Sequence, residues 1–202
     1  MLVVQHGEKV REPGDPGLSD IGHREADTVA AWLAENCPEV GSVWASPLRR
    51  AQQTAEPIAA SYGLDVQIDA RLRERMNWSG EAEITLDGFL VEWQRASDDR
   101  SYQPAVGDSS NHAAERFLSS LLDIERSVRD GMVVVISHGG VTVDVLRTLV
   151  GDEAVKAAAP ELIDNGVRCC AITRLRVDGG VVTINHYPST DHLSETTKHR
   201  PA

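Results

Sequence analysis

Five consecutive residues, Met132-Val133-Val134-Val135-Ile136, offer water no polar side chain, so a strand made of them needs cover on both faces. That requirement points to the interior of a parallel sheet flanked by helices, and the rest of the chain keeps to this pattern. Leu2-Val3-Val4, Ser42 to Ala45 and Val66 to Ile68 read as further strands. Between them, Ser19 N-caps a helix on which Ala26, Val29, Ala30 and Leu33 share a face, ending before Pro38. Ser46-Pro47 reads as an N-cap and first helical proline, opening a helix to about Ser61. Further helices are expected from about Ala113 to Val128 and from Gly140 to about Val150. Late runs Val167 to Val177 and Val181 to His186 flank Asp178-Gly179-Gly180, a hairpin signal that predicts an antiparallel edge. From Arg75 to Ser110 the pattern weakens into a partly helical excursion over one end of the sheet, and the chain should fray from about Ser194.

Twenty basic and 31 acidic side chains give a formal charge of −11, which argues against nucleic acid or an anionic membrane as partner. No run approaches the length of a membrane span, and Met1 leads into an apolar strand without a signal-peptide pattern, so a cytoplasmic location is expected. Cys37, Cys169 and Cys170 are too few and wrongly spaced for a disulfide framework or a metal site. The adjacent pair should point to opposite faces of a strand as reduced thiols.

Both apolar strands deliver a histidine followed by glycine: Gln5-His6-Gly7 and Ser137-His138-Gly139-Gly140. If the strands are parallel neighbours, the two imidazoles meet at the carboxyl rim of the sheet, where α/β folds place their ligands. Glycine beside each histidine lets an anion approach the backbone, and the helix after Gly140 offers unpaired N–H groups. Arg49 and Arg50 fall in the first turn of the helix after Ser46-Pro47, where a cation opposes the helix dipole and suits phosphate capture instead; Arg49 reads as the solvated one of the pair.

The strand-Gln5-His6-Gly7-Glu8 start, Asp15-Pro16-Gly17-Leu18-Ser19, Ser46-Pro47-Leu48-Arg49-Arg50-Ala51-Gln52-Gln53-Thr54-Ala55, Leu72-Arg73-Glu74, Gly107-Asp108-Ser109 and Ser137-His138-Gly139-Gly140 occur in the order found in one family. Together they resemble the histidine phosphatase superfamily, the phosphoglycerate mutase-like proteins, from Leu2 to about Val150. The resemblance implies a single domain over residues 1–202, folded as a three-layer α/β/α sandwich with a mostly parallel sheet, an antiparallel edge strand and a short lid at about residues 75–112. It also implies a phosphomonoester hydrolase that needs no metal or cofactor and acts on a small phosphorylated substrate. His6 becomes the nucleophile that forms phosphohistidine and Glu74 the proton donor. Arg50 and His138 complete the catalytic set, and the phosphate contacts are Gln5, His6, Arg50, His138 and Gly139. Asn77, Trp78, Arg95, Arg100 and Tyr102 are candidates for reading the leaving group.

One position departs from the family pattern. Where arginine usually precedes the nucleophilic histidine, this chain has Gln5, which can donate hydrogen bonds but brings no charge and no bidentate fork. Two alternatives follow: a phosphoglycerate mutase-type phosphotransferase, or a member that binds phosphorylated ligands without turnover. The short excursion and the few residues after His192 favour hydrolysis over the mutase.

Overall fold

The computed structural model describes residues 1–80, 84–128 and 131–196, without the side chains of 194–196. Strands β1 (Leu2–Gln5), β2 (Val40–Ala45), β3 (Val66–Ile68), β4 (Met132–Ser137), β5 (Ile172–Asp178) and β6 (Val181–Ser189) form one sheet in the order β3-β2-β4-β1-β5-β6. The first four run parallel to their neighbours, while β5 is antiparallel to β1 and β6 to β5. The antiparallel edge is therefore a hairpin of two strands.

The apolar run that demanded cover on both faces receives it. Val134 and Ile136 join Leu2, Val4, Val43 and Ala45 against α1 (Asp20–Asn36) and α2 (Arg49–Ser61). Val133 and Val135 join Val3 on the opposite face, against α4 (Ser110–Ser127) and α5 (Gly139–Val150). The period-two alternation of β4 thus divides its side chains between two cores, giving the α/β/α sandwich. Ser19 caps α1 as expected, accepting from the Gly22 amide at 3.1 Å. Among the described residues no helix is long and apolar enough to cross a membrane.

Several boundaries differ from expectation. The chain stays extended through Leu48, so α2 starts at Arg49 and Ser46 does not cap it; Asp15 does so from another loop, accepting from the Arg49 amide at 2.9 Å. Ser109 caps α4, which starts three residues before Ala113. Val167 to Ala171 is not strand, because Cys170 turns the chain with a φ of 53° before β5 begins. Cys169 and Cys170 consequently do not face opposite sides of a sheet; both are free thiols. Two short helices, α6 (Asp152–Ala158) and α7 (Glu161–Asn165), lie between α5 and β5, where the sequence pattern assigned no element. Among its described residues the excursion forms α3 (Leu86–Asp98) before α4 begins at Ser110. At the other end, α8 (Asp191–Thr196) packs against α1, and the rest of the expected frayed tail lies outside the described residues.

Gly7 and Gly22 are a packing pair. A Cβ on Gly22 would lie 2.0 Å from the Glu8 carbonyl oxygen, and one on Gly7 would lie 2.5 Å from the Gly22 carbonyl oxygen. The glycine after His6 therefore admits the backbone of α1, in place of the anion expected there. Gly22→Ala gains about 1 kcal/mol in helix propensity but overpacks against rigid backbone, which costs about 1–3 kcal/mol or more. We expect a net loss of stability, read as a lower urea midpoint; an unchanged midpoint would mean that the loop yields freely.

Candidate active site

The sheet register builds the site. Gln5 pairs with Ser137 across β1 and β4, so the next residues, His6 and His138, leave the sheet side by side with ring centroids 5.1 Å apart. The His6 amide donates to the Ser137 carbonyl at 3.1 Å, extending the ladder by one residue.

Two contacts fix the state of His6. Its Nδ1 lies 2.7 Å from the Gly7 carbonyl oxygen, which can only accept, so the proton sits on Nδ1. Nε2 then carries the lone pair, and Arg50 Nε donates to it at 3.1 Å while Gln5 Nε2 stands at 3.3 Å. Burial, reinforced by the Arg50 charge, lowers the imidazole pKa to about 3, so His6 is neutral at pH 7. His138 is fully buried, and burial followed by His6 and Arg50 holds it well below its ordinary value. Its Nε2 lies 2.7 Å from Ser46 Oγ, the hydroxyl expected to cap α2. That oxygen also accepts from the Leu48 amide at 3.3 Å, and when its own O–H donates to His138 Nε2 the imidazole proton lies on Nδ1, which has no hydrogen-bond partner.

Arg50 enters from the first turn of α2 and is 3% exposed, whereas Arg49 is exposed as expected. Arg50 Nη2 reaches Asn77 Oδ1 at 3.4 Å; Nη1 stands 3.8 Å from the Asp15 carboxylate without a hydrogen bond. Three buried polar atoms around the histidines, Arg50 Nη1, His138 Nδ1 and Gln5 Oε1, thus have no hydrogen-bond partner. Arg50 Nη1 is a donor, and His138 Nδ1 is a second one in the tautomer whose Nε2 accepts from Ser46; an oxyanion would satisfy both.

Glu74 follows a 3-10 turn at Ala70–Leu72 and caps α5 from outside. Its Oε2 accepts from the Gly140 amide at 3.0 Å, and its Oε1 from the amides of Val141 at 2.8 Å and Arg75 at 2.7 Å. The helix N-terminus expected to greet an incoming anion is already held by this carboxylate. Arg116 fixes the supporting loop, donating to the Arg71, Arg73 and Glu74 carbonyls while paired with Asp108 at 2.8 Å. This gives Gly107-Asp108-Ser109 its role: Asp108 orients Arg116, and Ser109 caps α4.

His6, Gln5, Glu74 and Gly139 line a cavity of about 550 Å³. Arg50 and His138 touch His6 but are not among the lining residues. Trp93, Gln94, Ser97 and Asp98 of α3 form one wall and residues 162–167 another. None of the expected leaving-group readers, Asn77, Trp78, Arg95, Arg100 and Tyr102, is in the lining. Arg95 stacks over Tyr102 at 4.1 Å, Arg100 binds the Asp144 carbonyl, and Trp78 Nε1 donates to the Ile84 carbonyl. Asn77 contacts Arg50 and the Gly14 carbonyl. The α3 wall could have been found from spacing, since residues 93, 94, 97 and 98 share a helical face. Arg75 was also missed: its guanidinium pairs with buried Asp144 at 3.0 Å and lies 4.2 Å over the Trp93 ring, tying α3 to α5. Burial, opposed by Arg75, raises the Asp144 carboxyl to about 6.

Comparisons with known proteins identify the fold and the family. The glucosyl-3-phosphoglycerate phosphatase of Mycolicibacterium vanbaalenii is 29% identical over 171 residues, covering 75% of this chain and 74% of that protein. Phosphoglycerate mutase-like protein 4 of Arabidopsis thaliana is 29% identical over 210 residues, covering 97% and 87%. The structure of a mycobacterial glucosyl-3-phosphoglycerate phosphatase with inorganic phosphate superposes with a TM-score of 0.73 at 22% identity, covering 95% of this chain and 98% of that one. The sequence profile of the Histidine phosphatase superfamily (branch 1) matches residues 2–190, and this chain belongs to that family.

Proposed function

We propose that the protein is a phosphomonoester hydrolase that works without a metal through phosphohistidine at His6. The observation that carries this reading is the tautomer of His6, whose Nδ1–H is held by the Gly7 carbonyl while the Nε2 lone pair faces cationic and amide donors. In the first step Nε2 forms a bond to phosphorus as the ester P–O bond breaks, and Glu74 gives its proton to the leaving oxygen. The free lone pair of Glu74 Oε2, which accepts a single amide, is the place for that proton. In the second step Glu74 takes a proton from water as the water oxygen attacks phosphorus, and the N–P bond breaks to restore both groups. Arg50, the second N–H of the Gln5 amide and His138 Nδ1–H supply donors to the phosphoryl oxygens.

A screen of phosphate release over many phosphomonoesters, with the His6→Ala protein as blank, tests the reading. Release from at least one ester above the blank is expected; isomerised product without free phosphate would make the protein a mutase, and no turnover of any kind would make it a binder. Gln5→Arg adds a charge-assisted contact where the amide now stands, and kcat/KM should rise about ten- to hundredfold. A folded variant with unchanged or lower kcat/KM on every accepted ester would show that the amide is not a weakened phosphate ligand.

A further inference from the structure

A phosphoryl group brings two negative charges to a pocket where Gln5 has replaced the usual arginine. The cations lining the cavity are Lys9, Arg75 and Arg147. Arg75 is committed to Asp144 at 3.0 Å, and Arg147 to Asp152 at 2.7 Å. Lys9 has no ion pair among the described residues. It lies three residues beyond His6, and its backbone is held in place by a bridge to Leu18, whose amide donates to Gln53 Oε1 at 2.7 Å.

We propose that Lys9 supplies the second positive charge on the phosphoryl group, replacing from the next loop what the Gln5 position lacks. The inference rests on the phosphate-pocket reading above. Electrostatics supports the placement: after burial, the Arg50 charge is the next cause lowering the Lys9 ammonium, and Lys9 in turn contributes to the lowering at His6. Two cations, Lys9 in the lining and Arg50 bonded to His6, both disfavour protonation of His6 and together form a positive field that an incoming dianion relieves. A flexible lysine at the exposed mouth does this as a point charge, without the planar fork of arginine, so it constrains the orientation of the phosphoryl group less.

Calorimetric titration with inorganic phosphate at low ionic strength provides the test, because it reads the pocket whether or not turnover occurs. Lys9→Met keeps the aliphatic stem and removes the charge; phosphate affinity should fall about tenfold, with a parallel fall in kcat/KM on any accepted ester. Lys156→Met removes the same charge from α6, outside the cavity, and should leave both unchanged. Adding Gln5→Arg to Lys9→Met should recover most of the lost affinity, and its gain there should exceed its gain in the wild-type protein. Wild-type protein that binds phosphate but hydrolyses no ester would defeat the hydrolase reading while the Lys9 comparison still decides this one. Phosphate affinity of Lys9→Met within twofold of wild type, an equal loss in Lys156→Met, or no phosphate uptake by the wild-type protein would each overturn the assignment.

Discussion

His6→Ala should lose phosphomonoesterase turnover by a factor on the order of 10⁴–10⁶, the range expected when a covalent nucleophile is removed from a site whose members act as a unit. No other described group can take its place. His138 is fully buried with Nε2 bound to Ser46, and the Glu74 carboxylate is engaged by three backbone amides. In the wild-type protein, brief exposure to a good substrate should leave acid-labile, base-stable phosphate on His6, located by peptide mapping. Because burial and the Arg50 charge lower the imidazole pKa to about 3, His6 needs no deprotonation before attack at any pH where the protein would ordinarily be assayed. Phosphate trapped on a different residue, or wild-type turnover in a correctly folded His6→Ala protein, would falsify the mechanism.

Replacing Glu74 by Gln should separate substrates by their leaving groups. Alkyl phosphates, whose alkoxide must be protonated as it departs, should lose about 10²–10⁴-fold in kcat/KM, which reports the first transfer and not the shared hydrolysis step, and activated aryl phosphates far less. The structure adds a second component. An amide can keep its oxygen toward the Val141 and Arg75 amides, but its NH₂ then meets the Gly140 N–H, donor against donor. A modest loss shared by all substrates is therefore expected from the disturbed cap of α5, and the acid role is read from the difference between the two substrate classes. An equal loss on both would make Glu74 a positioning residue that holds α5 and the Arg75 loop.

Much of this site is legible in the chain because it depends on local grammar. An apolar run followed by His-Gly places a histidine at a strand end wherever it occurs, and Ser19 or Asp178-Gly179-Gly180 act through neighbours a few residues away. The two histidines meet, however, only because β1 lies beside β4, a pairing of segments about 130 residues apart that periodicity does not encode. Glu74 is similar. Its flanking arginines suggest a surface ion pair, yet its carboxylate caps a helix 66 residues downstream. Ser46 shows local preference losing to tertiary demand: its hydroxyl meets a buried imidazole, and Asp15 caps the helix instead. The α7 wall lacked a signal because five residues are too few for a helical period to emerge.

The position of β1 in the sheet also has a consequence for how the chain comes into being. Of the six strands described, β1 is synthesised first, yet both strands it is hydrogen-bonded to, β4 on one side and β5 on the other, are made long after it. At roughly 5–20 residues per second, its β4 partner follows only after about 6–26 s of synthesis. Throughout that interval Leu2, Val3 and Val4 have neither of their final neighbours, while the α1–β2–α2 segment can already close on itself through local contacts. His6, the proposed nucleophile, thus follows the strand that waits longest, and the cavity it lines comes together only when the parallel core is finished. A nascent or truncated chain ending before β4 lacks both His138 and the partner strand that sets His6 beside it.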